Sequence, residues 1–202
     1  KYRRRCMNFE VSKDGKWILA SFYELVPSQH APTAINRGDV VLLDASTGKV
    51  AATMPGWMGR SLAMSEDASR LVILDTVCYD GSEDTRARAF WNPHKRFVLA
   101  AFDRSGKELF HMPVSQFVDQ LKVSANAKLA MVSFSDARGY VSLVDLDEGK
   151  VNKIDYPRAD TGVAVAPDGS FGLVAYADGA VCRFDRGGGI EWRTSVPSPG
   201  WH

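Results

Sequence analysis

The sequence predicts an all-β protein built from four similar four-stranded antiparallel units, and three observations lead to this prediction. A hairpin pattern occurs four times, a second strand-turn-strand pattern follows each copy, and the copies return at intervals of 53, 59 and 42 residues. Four-stranded units that repeat about every 40 to 50 residues are typical of β-propeller blades. We therefore expect a β-propeller of which about four blades are present in this chain.

The first repeated pattern is an alternating apolar strand, a tight turn and a second apolar strand, which indicates a β-hairpin. At each turn an Asp or Asn precedes a small residue, and these residue types accept the positive backbone angles of short turns. A helix over Val114–Phe134 is the alternative, because its Ala, Leu and Lys content suits a helix. The match of Leu121–Phe134 to three other hairpins outweighs that propensity. The copies are Asn8–Phe22, Ser61–Thr76, Gln120–Phe134 and Gly162–Tyr176, with turns at Asp14-Gly15, Asp67-Ala68, Asn126-Ala127 and Asp168-Gly169.

The second repeated pattern is a strand that ends at an Asp, a short turn with a Gly, another strand and a closing Pro. The Asp carboxylate can accept hydrogen bonds from turn amides while the Gly adopts the left-handed conformation. We therefore expect these Asp residues to stabilise turns rather than to act in catalysis or to bind metal. The pairs are Asp44 with Gly48, Asp103 with Gly106, Asp145 with Gly149 and Asp185 with Gly189.

The repeats predict a single propeller-like domain over residues 1–202. Its blades are expected at residues 4–56, 59–115, 117–157 and 158–199. An open arc of four blades would expose two apolar blade faces, which water penalises by about 25 cal/mol per Å². We therefore expect further blades in a larger propeller, completion by a second subunit or homo-oligomer, or a compact four-bladed closure, in that order of preference.

The sequence resembles WD40-like, YVTN-type and PQQ-like propeller repeats across nearly the whole chain, and the fourth unit illustrates the resemblance. Its stretch "VAPDGSFGLVAYADGAVCRFD" (Val165–Asp185) resembles the first three strands of a WD40-like or YVTN-type blade. The overlapping "GAVCRFDRGGGIEWRTSVP" (Gly179–Pro197) is similar to PQQ-like repeats, in which a Trp docks on the neighbouring blade, and Trp192 matches that Trp. The Gly-His and Trp-Asp dipeptides of strict WD40 repeats are missing. The resemblance implies the architecture strongly and the function weakly, and it implies six to eight blades.

Composition and charge exclude several classes of function. The chain has 202 residues, is 45% hydrophobic and carries a formal net charge of +1, so it lacks the excess of Lys and Arg that nucleic-acid binding requires. No apolar run approaches the roughly 20 residues that span a membrane. Unpaired cysteines favour a cytoplasmic protein, whereas the resemblance implies a bacterial periplasmic or exported one. We predict no metal site and no cofactor, because no recognised ligand spacing is present.

Two long insertions indicate where a partner could bind. The connections between the second and third strands of the first two units, Tyr23–Arg37 and Val77–Lys95, are much longer than those of the last two units. Long loops on a rigid scaffold often carry binding sites, and the segment Pro55–Arg60 between the first two units should open on the same face. Trp, Tyr and Arg supply most of the binding energy of protein interfaces. The predicted partner-binding residues are His30, Arg37, Trp57, Arg60, Tyr79, Arg88, Trp91 and His94.

These features favour a non-catalytic scaffold or protein-protein interaction subunit of a larger complex. The first alternative is a quinone (PQQ)-dependent dehydrogenase or an amine-dehydrogenase-like propeller subunit, which the resemblance of the fourth unit implies. No convergent acid, base and calcium ligands accompany that resemblance, and fold alone does not establish chemistry. The second alternative is a small-ligand or sugar-binding propeller, for which the aromatic loops are the supporting feature. We predict no catalytic residues.

Overall fold

The computed structural model describes residues 3–26, 34–77, 96–114, 118–134, 140–155, 162–176 and 178–195. Within these ranges the chain forms sixteen β-strands and no helix. The strands are β1 (Arg3–Val11), β2 (Trp17–Val26), β3 (Ala34–Asp44), β4 (Val50–Pro55), β5 (Ser61–Met64), β6 (Arg70–Val77), β7 (Arg96–Asp103), β8 (Glu108–Val114), β9 (Val118–Val123), β10 (Leu129–Phe134), β11 (Tyr140–Asp145), β12 (Lys150–Asp155), β13 (Gly162–Val165), β14 (Phe171–Ala175), β15 (Ala180–Asp185) and β16 (Ile190–Ser195).

The strands form four separate four-stranded antiparallel sheets, β1–β4, β5–β8, β9–β12 and β13–β16. Each sheet is a meander in which sequence neighbours pair, and each corresponds to one predicted unit. The all-β fold class and the four-stranded units are thereby confirmed. Strands β9 and β10 lie where the alternative reading placed a helix, because alternation of apolar residues outweighs local helix propensity there.

The chain divides into two compact units, Lys1–Gln116 and Phe117–His202. Unit 1 holds the sheets β1–β4 and β5–β8, and unit 2 holds the sheets β9–β12 and β13–β16. The boundary between the units therefore falls between the second and third predicted blades.

The first turn of each sheet is built around a residue in the left-handed conformation. Gly15 and Gly169 have φ angles of 70° and 67°, and Ala68 and Ala127 have φ angles of 54° and 52°. These are the small residues that the sequence pattern places after Asp or Asn. The predicted turn chemistry is thus confirmed in all four sheets, even where the small residue is not glycine.

The second turns confirm the predicted role of the Asp residues. The Oδ1 atom of Asp44 accepts the amides of Ser46 and Thr47 at 2.9 Å each. Asp103, Asp145 and Asp185 accept amides of their own turns in the same way, at 2.7 to 3.1 Å.

The predicted glycine of the fourth second turn is wrong by one residue. Gly188, with φ of 85°, takes the left-handed position instead of Gly189. This turn closes with a hydrogen bond from Gly188 N to Asp185 O, three residues back, whereas the turn at Asp44 closes from Gly48 N, four residues on. The turn is therefore one residue shorter than the predicted pairing of Asp185 with Gly189 requires.

The core of unit 1 lies between its two sheets. Leu19 and Leu42 from the first sheet pack with Leu71, Ile73 and Phe102 from the second, and all five are buried. Gly106 on the second sheet approaches the first so closely that a Cβ atom there would lie 3.3 Å from Met54 Sδ. Apolar burial between the two sheets therefore stabilises the unit.

Unit 2 repeats this arrangement with its own residues. Met131 and Leu143 from β9–β12 pack with Val174 and Phe184 from β13–β16. A Cβ atom on Gly172 would lie 2.4 Å from Met131 Sδ, so the absence of a side chain allows the sheets to approach at this point.

An ion pair also joins the two sheets of unit 2. Arg186, in the second turn of β13–β16, places Nε 2.7 Å from Oδ2 of Asp145 and also binds Asp147 at 3.1 Å. Burial raises the pKa of Asp145, but hydrogen bonds from Arg186 and from the amides of Glu148 and Asp147 outweigh it and hold that pKa below its ordinary value. The carboxylate is therefore charged at neutral pH.

Candidate functional site

One edge of unit 1 collects the connections that the sequence singles out. Within each meander, β2 ends where β3 begins and β6 ends where β7 begins. The first turns of the two sheets lie together, since Lys13 pairs with Glu66, so these strand ends share the opposite edge of the unit. The segment 56–60 between β4 and β5 also starts there, since β4 ends beside Asp39 near the start of β3. We name this edge, with the segment 56–60, the connection edge. The turns at the other end of the strands form the turn edge.

The segment 56–60 is fixed to the first sheet by its backbone. Gly56 N donates to Gly38 O at 3.0 Å and to Oδ1 of Asp39 at 3.3 Å. Asn8, on β1, donates through Nδ2 to Arg60 O at 2.5 Å and to Gly59 O at 3.3 Å. The start of β3 therefore holds the segment at Gly56, and the side-chain amide of Asn8 holds it at Gly59 and Arg60.

The same segment is bound to the second sheet by a buried carboxylate. Asp75 on β6 is only 3% exposed, and its Oδ2 accepts the amide of Met58 and the amide of Gly59, the latter at 3.4 Å. A buried polar group is costly unless hydrogen bonds compensate it, so these two bonds favour one conformation of the segment. The segment 56–60 is thus held from both sheets of unit 1.

Two glycines allow this close contact. A Cβ atom on Gly38 would lie 2.7 Å from the Cα of Met58, which is a clash with backbone. Gly59 has a φ of 59° and is surrounded by Ser21, Val40 and Leu62 at less than 3 Å from an added Cβ. Both positions therefore require glycine for the segment to lie against the sheets.

Trp57 is partly buried and anchors the segment in the core. Its ring meets the ring of Phe102 edge to face, with centroids 5.4 Å apart and planes at 82°. It packs against the apolar cluster of unit 1 while retaining intermediate exposure. An aromatic pair of this geometry contributes about 0.5 to 1.5 kcal/mol beyond area burial. Trp57 therefore supports the fold and also presents an apolar surface at the connection edge.

The structure describes only some of the other predicted site residues. Arg60 lies on the same segment as Trp57 and is partly exposed, and Arg37 lies in β3 opposite Glu24. The predicted insertion Tyr23–Arg37 is therefore wrong at both ends, because strand pairing continues through Val26 in β2 and resumes at Ala34 in β3. The structure therefore brings Trp57 and Arg60 together and puts Arg37 on a strand that begins at the connection edge. Five predicted residues lie outside the described residues: His30, Tyr79, Arg88, Trp91 and His94. Their role in binding stays a prediction.

Sequence reasoning missed the residues that hold the segment, chiefly Asn8, Gly38 and Asp75. A signal for Asp75 was present, because it follows Leu71 and Ile73 at the spacing of one strand face and so occupies an inward position. An ionisable residue at an apolar position needs a polar partner. The identity of that partner depends on contacts between sheets, which the strand pattern does not contain.

At the turn edge the acidic groups are occupied by their own turns. The hydroxyl of Ser46 and the amide and hydroxyl of Thr47 hold the pKa of Asp44 below its ordinary value, and the hydroxyl of Ser105 acts likewise on Asp103. Among the described residues no group of three or more His, Cys, Asp or Glu side chains is arranged to hold a metal ion. The chemistry of this edge is that of turn stabilisation.

No known family model and no curated protein matches this chain. The resemblance to WD40-like, YVTN-type and PQQ-like repeats therefore stays a prediction. In the part of the chain that the structure describes, no helix has the length and apolar character needed to cross a membrane.

Proposed function

We propose that this chain is a non-catalytic scaffold or interaction subunit whose four sheets are blades of a β-propeller, and that it binds a protein partner at the connection edge of unit 1. The observation that carries this proposal is the segment 56–60, which is bound by Asn8 on one sheet and by Asp75 on the other. A well-fixed segment at the edge where β2 and β6 end is the arrangement expected of a recognition surface on a rigid scaffold.

Fixing the segment before binding supports affinity. Association costs about 0.5 to 1.5 kcal/mol for each rotamer-rich side chain that becomes ordered. The packing of Trp57 on Phe102 and the backbone hydrogen bonds of Gly56 and Gly59 order this region in the free protein. A partner that contacts Trp57 and Arg60 therefore meets a surface that needs little further ordering.

The residue types near this edge suit a protein partner. Trp57 and Arg60 belong to the residue classes that dominate interface energies, and the neighbouring connection adds Tyr79, Arg88 and Trp91 in the sequence. His30, Arg37 and His94 complete the proposed binding set. At the turn edge, by contrast, carboxylates are engaged by turn amides, which favours structural roles there over catalytic ones.

Crosslinking and substitution test this proposal. A photoreactive amino acid at position 91 should crosslink to a partner that co-purifies with the chain, whereas the same group at Lys49 on the turn edge should not. We expect Arg60→Ala and Trp91→Ala each to weaken binding of that partner by at least about tenfold, as at interface hot spots. The measurement is the dissociation constant by calorimetry.

The matched control is Lys49→Ala, which removes an exposed cation from the turn edge and should leave partner affinity unchanged. Trp57→Ala should weaken binding too, but because Trp57 packs on the core, its unfolding free energy must be measured alongside. Unchanged affinity in both Arg60→Ala and Trp91→Ala would show that the connection edge is not the binding surface.

A further inference from the structure

The two units pack their sheets by the same rule. The first turn of each sheet begins at an equivalent residue: Ser12, Ser65, Ser124 or Ala166. Counting from this residue gives equivalent positions in the second strand of every sheet. In the earlier sheet of each unit the seventh residue after this position faces the later sheet, as Leu19 and Met131 do. In the later sheet the eighth residue faces back, as Ile73 and Val174 do. We name the first surface the leading face and the second the trailing face.

The trailing face of the first sheet is apolar and open to solvent. Val11, Ile18, Leu43 and Val50 form one directly paired row across its four strands. Val50 is 59% exposed, and Phe9, which lies on the same face opposite Ala20, is 67% exposed. Large apolar side chains on a surface of this kind indicate an interaction site.

The leading face of the last sheet is also open. Its row consists of Ala164, Leu173, Arg183 and Trp192, again directly paired. Trp192 is 43% exposed, and the guanidinium of Arg183 lies 3.9 Å from the centroid of the Phe171 ring. The chain therefore carries an open face of each kind, and these two kinds of face are the ones that pair inside each unit.

We propose that the trailing face of β1–β4 in one copy of this chain binds the leading face of β13–β16 in a second copy. This contact continues the series of sheet-on-sheet interfaces that both units already contain. The contact is head-to-tail, because it joins two different surfaces. Repetition of such a contact produces closed rings or open chains, and it does not require a two-fold symmetric dimer. It is independent of partner binding at the connection edge.

The size of the smaller face sets the expected strength. The strands of β13–β16 have 4, 5, 6 and 6 residues. At about 3.3 Å per residue and about 4.8 Å between strands, this face projects an area on the order of 300 Å². Both partners together contribute about twice this projected area, which places the contact among the smaller protein interfaces. We therefore expect association in the micromolar range.

Sedimentation equilibrium of the purified chain tests this proposal. The mass-average molecular weight should rise above that of the monomer between about 1 and 100 µM, as expected for a micromolar dissociation constant. The double substitution Phe9→Lys with Val50→Lys removes the trailing face, and Trp192→Lys removes the leading face. Each variant alone should remain monomeric. A mixture of the two should form dimers, because each variant keeps the face that the other lacks.

Leu109→Lys is the matched control, since Leu109 is an exposed apolar residue in an irregular part of β8, and this variant should associate as the unchanged chain does. Cooperative thermal unfolding shows whether each variant is folded, and Val11→Thr, expected to weaken association, replaces the double variant if that one does not fold. A monomer at every concentration, association that persists in Trp192→Lys, or a mixture that stays monomeric would overturn the proposal.

Discussion

At the residue scale, the first turns show how a hydroxyl and the side-chain oxygen of an Asp or Asn together hold a backbone conformation. The buried Ser124 donates to Oδ1 of Asn126 at 2.9 Å and accepts the amides of Lys128 and Leu129 at 3.0 Å each. In the second sheet Ser65 donates to Oδ1 of Asp67 and accepts the amide of Arg70, while the amide of Ser69 donates to Oδ1 of Asp67. Left-handed backbone costs about 1 to 2 kcal/mol for a residue with a Cβ atom, so these bonds account for alanine at positions 68 and 127.

The substitution Asp67→Asn should flatten the dependence of stability on pH while keeping the turn. Hydrogen bonds from the amide and hydroxyl of Ser69 lower the pKa of Asp67 from 3.8 to about 2. The folded-state pKa is the lower one, so this stabilisation is present above the unfolded pKa and is lost as the pH falls through about 2. Asn126, which occupies the same position in the third sheet, shows that Asn fits such a turn.

Urea titrations between pH 2 and pH 5 measure this effect. The unfolding free energy of the unchanged chain should fall more steeply toward low pH than that of Asp67→Asn. Asn126→Ser changes the same position of the third sheet without removing an acid, so it should keep the slope of the unchanged chain. An identical slope in Asp67→Asn would mean that the Ser69 hydrogen bonds do not discriminate between the two protonation states.

At the scale of elements, the segment 56–60 depends on the absence of a side chain at Gly38. We expect Gly38→Ala to destabilise unit 1 by about 1 to 3 kcal/mol, because overpacked sites of this kind must shift their backbone. The added Cβ would lie 2.7 Å from the Cα of Met58. The segment should move and the contact of Trp57 with Phe102 should loosen.

Chemical denaturation and Trp fluorescence measure both consequences. Gly162→Ala is the control, since its Cβ would find only Ala175 Cβ at 3.9 Å, and it should change stability by less than about 0.5 kcal/mol. Equal stability of Gly38→Ala and the unchanged chain would indicate that the segment moves without cost.

Elements were largely predictable from the sequence, and their contacts were not. Alternation of apolar residues and the Asp-based turns located the strands of each sheet, because both signals are local. The length of one turn was misjudged at Gly188, since three consecutive glycines at 187–189 leave the left-handed position undetermined. The clamp of Asp75 on Met58 and Gly59 joins elements across two sheets, so no local pattern predicts its partners.

At the scale of the whole molecule, thiol chemistry reports on the integrity of the fold. Cys6 is exposed, and Cys182 is buried in the core of unit 2. In a Cys78→Ser background, we expect Cys6 to react with a thiol reagent at the rate of a free thiol. Cys182 should react at least about a thousandfold more slowly, because its reaction requires an opening of unit 2 that costs about 4 kcal/mol or more.

Mass spectrometry of timed reactions distinguishes the two positions. In concentrated urea both thiols should react at similar rates, which controls for intrinsic reactivity. Comparable rates in water would contradict the burial of Cys182 beside Val174 and Phe184.

The ion pair between Arg186 and Asp145 forms only after both of its residues have been synthesised. The two residues are 41 positions apart, so the carboxylate leaves the ribosome well before its cation. Domains assemble from the N-terminus as translation proceeds at about 5 to 20 residues per second. For several seconds the nascent β9–β12 sheet therefore lacks both the cation that pairs with Asp145 and the sheet that covers Met131 and Leu143.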